Sequence, residues 1–433
     1  MALQALTVIL LVLALLLILG VLISFSIGIA AISGIILTVS LDVTVITAAQ
    51  RTFVGISSFS LTAIPFFILA GNLMNEGGIA KRLVNFVMAL LGKLPGTLMV
   101  TNVGANALFG AISGSASAAA AAVGSMVKEG EEKQGYDKAI AASSNGASAP
   151  SGLLIPPSNA LITYSLVSGG TSVAALFLAG YVPGIIWAIG CIIVAVAIAK
   201  KKGYKQNAGK FSWSNLLRAT IDALPALGLI FVVIGGIVLG VFTATEGSAV
   251  SVLYSLILGF LYKNLNLKKV WHILVESAKM SGIVVFLIGV SNILSWVMAF
   301  TGIPQMIGSA LLSVTENKYL LLLIINIILL IAGTFMDVTP AILIFTPLFL
   351  PIVTGFGMHP VHFGLVLVYN LCIGNITPPV GNTLFVAIKV GDTSLSKVMP
   401  YMLRFYAAIL IGLILVTYLP FVTLGLPQAA GLL

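Results

Sequence analysis

The chain alternates long uncharged apolar runs with short polar interruptions. No charged residue precedes Asp42, and further uncharged runs cover 94–127, 139–199 and 280–315. Each exceeds the roughly 20 residues that cross a bilayer core as a helix. The pattern predicts an all-α polytopic membrane protein with polar segments as short connections. The opening MALQALTVIL has no Lys or Arg before its apolar run. It lacks the basic start of a cleaved signal and predicts a retained first span.

Some runs do not fit a single straight span. Residues 94–127 would extend about 50 Å as one helix, against a core near 30 Å. They predict a re-entrant hairpin over about 98–128, with its tip at Ser113–Ser117, where small residues let backbones approach closely. A second hairpin is predicted over about 318–350, turning near Asp337–Pro340 with Gly333 and Pro340 as helix breakers. Adjacent prolines then interrupt the next apolar segments: Pro156 and Pro157 in one, Pro378 and Pro379 in the other. A continuous helix cannot pass through either pair, which predicts broken helices over about 139–166 and 361–390.

These features recur in order. VLISFSIGIAAISG around Gly28 resembles GVFTATEGSAVSVL around Gly247, and PFFILAGNLM resembles VVFLIGVSNIL, both at an offset of 219 residues. GAISGSASAAA from Gly110 faces GTFMDVTPAIL from Gly333 at 223, and GLLIPPSN from Gly152 faces GNITPPVGN from Gly374 at 222. Residues 1–199 and 219–433 are therefore expected to be two repeats, joined by a cytoplasmic linker at 200–218.

Charge sets the expected orientation. With the linker inside, 19 of the 21 Lys and Arg residues lie inside, all but Arg51 and Lys318, as the positive-inside bias requires. Both termini then lie outside, each half crosses an odd number of times, and the second repeat is inverted. The net charge of +9 is thus a topology signal spread over short loops, and nucleic acid is not expected as a partner. With 59% hydrophobic and 8% charged residues, against about 25% charged in soluble chains, a soluble domain is excluded. Cys191 and Cys372 lie far apart in apolar segments and are expected as small buried hydrophobes. His272, His359 and His362 fall near span ends, without metal-binding spacing.

Unwound backbone in lipid must be satisfied inside the protein, so the breaks should line an enclosed polar cavity. Ser113, Ser115 and Ser117 with Gly152 and Asn159 form one candidate sodium site. Asp337 and Thr339 with Gly374, Thr377 and Asn382 form the other, since hard cations take oxygen ligands. Ser115, Ser117, Asn159, Thr339 and Asn382 are also candidate substrate contacts. Glu246 is expected to cap the helix that resumes after TAT, while Asp337, at a hairpin tip, is expected to be functional. No Lys or Arg lies in either site, so sodium ions and helix dipoles would supply positive potential for an anionic substrate.

The segments GAISGSASAAAAAVGSMV, GLLIPPSN, GTFMDVTPAILIFTPLFLPI and GNITPPVGNTLFVA resemble the large membrane subunit of tripartite ATP-independent periplasmic (TRAP) transporters, and the likeness covers nearly the whole chain. It implies an inverted-repeat ion-transporter-type fold in the bacterial inner membrane. It implies sodium-coupled import of a small carboxylate such as a sialic acid or C4-dicarboxylate. Its partners would be a soluble periplasmic substrate-binding protein and a separate small four-helix membrane subunit. An elevator cycle is implied, with 98–166 and 318–390 moving against a scaffold. The alternatives are a sodium/dicarboxylate symporter working without a binding protein, and a passive channel. An enzyme is not expected: SGSAS supplies hydroxyls, but no G-x-S-x-G elbow accompanies them.

Overall fold

The computed structural model of the protein describes residues 1–204, 213–315 and 317–433. The middle of the predicted linker, 205–212, lies outside the described residues. The first part runs α1 (Ala2–Ile18), α2 (Ile23–Ile36), α3 (Leu41–Ile56), α4 (Ala63–Glu76), α5 (Ile79–Leu91), α6 (Thr97–Ser113), α7 (Ala116–Lys133), α8 (Lys138–Ser148), α9 (Ser151–Leu154), α10 (Asn159–Val167) and α11 (Val173–Lys202). The second runs α12 (Trp213–Val238), α13 (Ala244–Leu261), α14 (Leu267–Thr301), α15 (Ile303–Val314), α16 (Lys318–Gly333), α17 (Val338–Gly355), α18 (Pro360–Gly374), α19 (Asn382–Val390), α20 (Leu395–Tyr418) and α21 (Pro420–Ala429).

Among the described residues, six helices are long and apolar enough to cross a membrane, namely α11, α12, α13, α14, α17 and α20. A seventh span is possible if α3 and the segment Phe59–Glu76 count as one, bent by 60°. Large apolar side chains such as Phe231, Phe421 and Leu239 are exposed on the outer surface, as suits a chain whose solvent is lipid.

Helix starts follow ordinary capping rules. Thr243 and Glu246 form a reciprocal capping box at α13, the duty expected of Glu246. Asp137 accepts from the Ala139 amide at 2.8 Å to start α8, and Ser158 accepts from the Leu161 amide at 3.3 Å to start α10. Pro340 does not break a helix. It lies in the first turn of α17, where a missing N–H costs nothing, and the break precedes it at Thr334–Asp337.

The helical path stops at Ile155–Ser158 and again at Asn375–Gly381, and aromatic side chains donate to a carbonyl ahead of the first stop and to one within the second. Trp187 of α11, fully buried, donates its indole N–H to the Ala147 carbonyl at 2.8 Å, one turn before Pro150. Tyr406 of α20 donates to the Ile376 carbonyl at 2.5 Å, just before Pro378. Losing the Tyr406 hydroxyl leaves a buried carbonyl unpaired, and losing the Trp187 indole leaves Ala147 only the weak Cys191 thiol at 3.7 Å, at a cost of roughly 1–3 kcal/mol. Trp187→Phe and Tyr406→Phe are each expected to lower the thermal unfolding midpoint, read by following the purified protein through a heating ramp.

Candidate functional site

The two helical pairs cross the two breaks with backbone against backbone. A Cβ on Gly152 would lie 2.2 Å from Gly110 Cα, and one on Gly374 would lie 2.3 Å from the Gly333 carbonyl carbon. Glycine is the residue that permits such contact. Each helical pair is thereby held against the broken segment of its own half. Gly114 makes the first turn in the left-handed region, at φ +62°. Asn159 packs against that turn, where a Cβ on Gly114 would meet its amide at 2.5 Å. At the second turn, the Val380 amide donates to the Thr334 carbonyl at 3.2 Å.

The turns of the two pairs share one cavity of about 280 Å³. Ser113, Ser115 and Ser117 enter from α6–α7, Asn159 and Thr163 from α10, Asp337 and Thr339 from α17, and Asn375 from the second break. The serines are half-buried and mutually bonded. Ser113 Oγ donates to the Ser115 carbonyl at 3.3 Å, and the hydroxyls of Ser115 and Ser117 are 3.3 Å apart. The opposite wall comes from α4 and α14, through Ile64, Ile68, Asn72, Asn75, Met280 and Val284.

The electrostatics are two-sided. The N-termini of α7, α10 and α17 reach this cavity, carrying partial positive charge that favours anions. The C-termini of α6 and α18 also reach it, at Ser113 and Asn375, and their carbonyl ends favour cations. Asp337 is the one ionisable side chain in the lining. Its Oδ1 accepts from the Val338 amide at 2.9 Å, so it caps α17 while facing the cavity.

Six of the ten sequence-predicted site residues thus come together: Ser113, Ser115, Ser117, Asn159, Asp337 and Thr339. Gly152 and Gly374 stand behind them as the crossing points. Thr377 faces a separate, largely apolar cavity beside Leu330 and Tyr406, and its hydroxyl donates to the Ile373 carbonyl at 2.7 Å. Asn382 is exposed at the start of α19 and does not line the shared cavity. Asn72, Asn75 and Asn375 were not singled out from sequence as site residues. The similarity between the α4 and α14 segments was the available signal for that wall.

The fold defines a class. It is similar to the Alcanivorax borkumensis YdaH transporter, whose crystal structure is described as having an unusual topology, with a TM-score of 0.63, 13% identity and 86% of each chain covered. That likeness is one of fold. The chain itself belongs to the DctM component family of tripartite ATP-independent periplasmic transporters, matched over residues 10–422.

Three relatives are similar along nearly their whole length. Protein YgiK of Salmonella typhimurium is 50% identical over 414 residues, with 96% of this chain and 95% of the relative covered. The C4-dicarboxylate TRAP transporter large permease protein DctM of Rhodobacter capsulatus is 38% identical, with 95% and 96% covered. The sialic acid TRAP transporter large permease protein SiaM of Vibrio cholerae is 37% identical, with 94% and 95% covered.

Proposed function

We propose that this large permease imports a small organic acid, a C4-dicarboxylate or a sialic acid, by symport with sodium across the bacterial inner membrane. The observation that carries the reading is the shared cavity: turns from both halves, three helix N-termini and one carboxylate, with no basic side chain in its lining. An anion entering such a site needs cations beside it, and the hydroxyls, amide oxygens and carboxylate of the two turns are the hard ligands that sodium takes. Binding of the two is then coupled.

The family membership supports two partners, a soluble periplasmic binding protein that delivers substrate and a small four-helix membrane subunit that completes the permease. The α6–α10 and α16–α19 regions act as re-entrant pairs and broken helices of two inverted repeats. Recurrence of helix bounds supports this: α7 and α17, then α8 and α18, start 222 residues apart. These regions move as an elevator against α4 and α14.

Uptake into proteoliposomes tests the reading. Labelled C4-dicarboxylate or sialic acid is expected to accumulate only with the small subunit, the cognate binding protein and an inward sodium gradient together. Accumulation without the binding protein would indicate a simple symporter, and flux without the gradient a channel.

A further inference from the structure

A carboxyl group occupies a core position that the second half fills with valine. Glu131 lies near the end of α7, 5% exposed, and its counterpart 222 residues on is Val353, 1% exposed. The register is fixed by its surroundings. α7 and α17 end at Lys133 and Gly355, left-handed glycines follow at Gly135 and Gly357, and the next helices start at Lys138 and Pro360. An apolar side chain therefore satisfies the packing here, and the carboxyl group is an addition to it.

That group is poorly served. Glu131 Oε1 has no hydrogen-bond partner, and neither does the side-chain nitrogen of Asn102, which is 1% exposed. Both residues line a cavity of about 20 Å³ between α6, α7, α8 and α19, room for about one water molecule. The charged groups around it are already engaged. On the same helix Lys128 pairs with Asp392, just beyond α19, and Glu132 pairs with Lys138 of α8 at 3.4 Å. Tyr136 also lines the cavity and stacks on Tyr204. Among the described residues, no ion pair reaches Glu131.

An unpaired buried carboxylate is costly, whereas the neutral acid is tolerated. We propose that Glu131 is a proton-binding site, protonated in an acidified cytosol, partly ionised at neutrality and fully ionised in an alkaline one, so that pH sets how firmly α7 packs on α8 and α19. Its cytosolic placement rests on the topology proposed above; the protonation does not. Burial, with a smaller push from the Glu132 charge, raises the carboxyl to about 7.

The sign follows from linkage. The unfolded chain releases this proton in the usual carboxylate range and the folded chain near 7. The stability the neutral acid contributes is thus complete at acid pH and is lost as pH rises through that interval.

The test is a pH-difference infrared titration of the full chain in lipid nanodiscs, with thermal unfolding followed in parallel. Wild type is expected to show a carboxylic-acid carbonyl band that disappears with a midpoint near 7. Glu131→Gln should abolish that band and flatten the fall in thermal midpoint between acid and mildly alkaline pH, whereas Glu132→Gln, which removes only the smaller push, should keep the band with a somewhat lower midpoint. If Glu131→Gln is not recovered folded, Glu131→Val, the residue of the second half, takes its place. A band that survives loss of Glu131, or one that titrates in the ordinary carboxylate range, would overturn the proposal. Because no substrate or gradient is involved, failure here would leave the transport reading standing.

Discussion

Asp337→Asn is expected to shift the sodium dependence of transport to much higher concentration while leaving the fold intact. Asparagine caps a helix about as well as aspartate, so the Val338 amide keeps its acceptor and α17 its start. What is lost is the one charge in the cavity lining. An interaction with a charged group is worth about 1.5–3 kcal/mol, or roughly a 10- to 100-fold loss of cation affinity. The sodium-activation curve for uptake should shift to correspondingly higher concentration, with the thermal midpoint near that of wild type. An unchanged activation curve would remove Asp337 from the ion site.

The largest structural effect is expected at the glycine crossings. Gly152→Ala and Gly374→Ala each drive a methyl group into a backbone at 2.2 or 2.3 Å, and backbone has nowhere to swing. Overpacking of this kind costs typically 1–3 kcal/mol, occasionally more. The disturbance reaches the turns that hold Ser113–Ser117 and Asp337. Both variants should lose thermal stability and uptake together. Gly235→Ala, on α12 with nothing within 4 Å of the new Cβ, is the control and should be nearly neutral. A Gly152→Ala protein as stable as wild type would contradict the crossing.

The turns and breaks were legible because glycine, proline and hydroxyl residues encode backbone directly. The spacing of Gly110, Gly152 and Pro156, repeated at Gly333, Gly374 and Pro378, marked where each pair meets each break. The phase beyond a break was less legible. After Pro379 the chain passes Gly381 at φ +27°, and that rotation turns Asn382 away from the cavity while Asn375, before the break, faces into it. Adjacent prolines announce a break but not the direction in which the next helix resumes.

The scaffold wall was hidden for a different reason. A helix in lipid is apolar on nearly every side, so periodicity does not distinguish a cavity face from a lipid face. Asn72 and Asn75 on α4 are amide residues in such a helix, and Met280 and Val284 on α14 look like any lipid-facing pair. Glu131 was hidden because its place in a charged stretch, KEGEEK, suggests a solvated surface. Only the packing of α7 against its neighbours reveals that one of these carboxyls is buried.

Equilibrium binding of labelled substrate across a sodium titration, with the purified permease complex, tests the central claim most directly. On the proposed reading, in which cations and anion share the cavity that both turns line, substrate affinity should rise with sodium, and sodium affinity should rise with substrate by the same factor. In Asp337→Asn both effects should need roughly 10- to 100-fold more sodium. Substrate affinity that is indifferent to sodium in wild type would contradict a shared, sodium-coupled site.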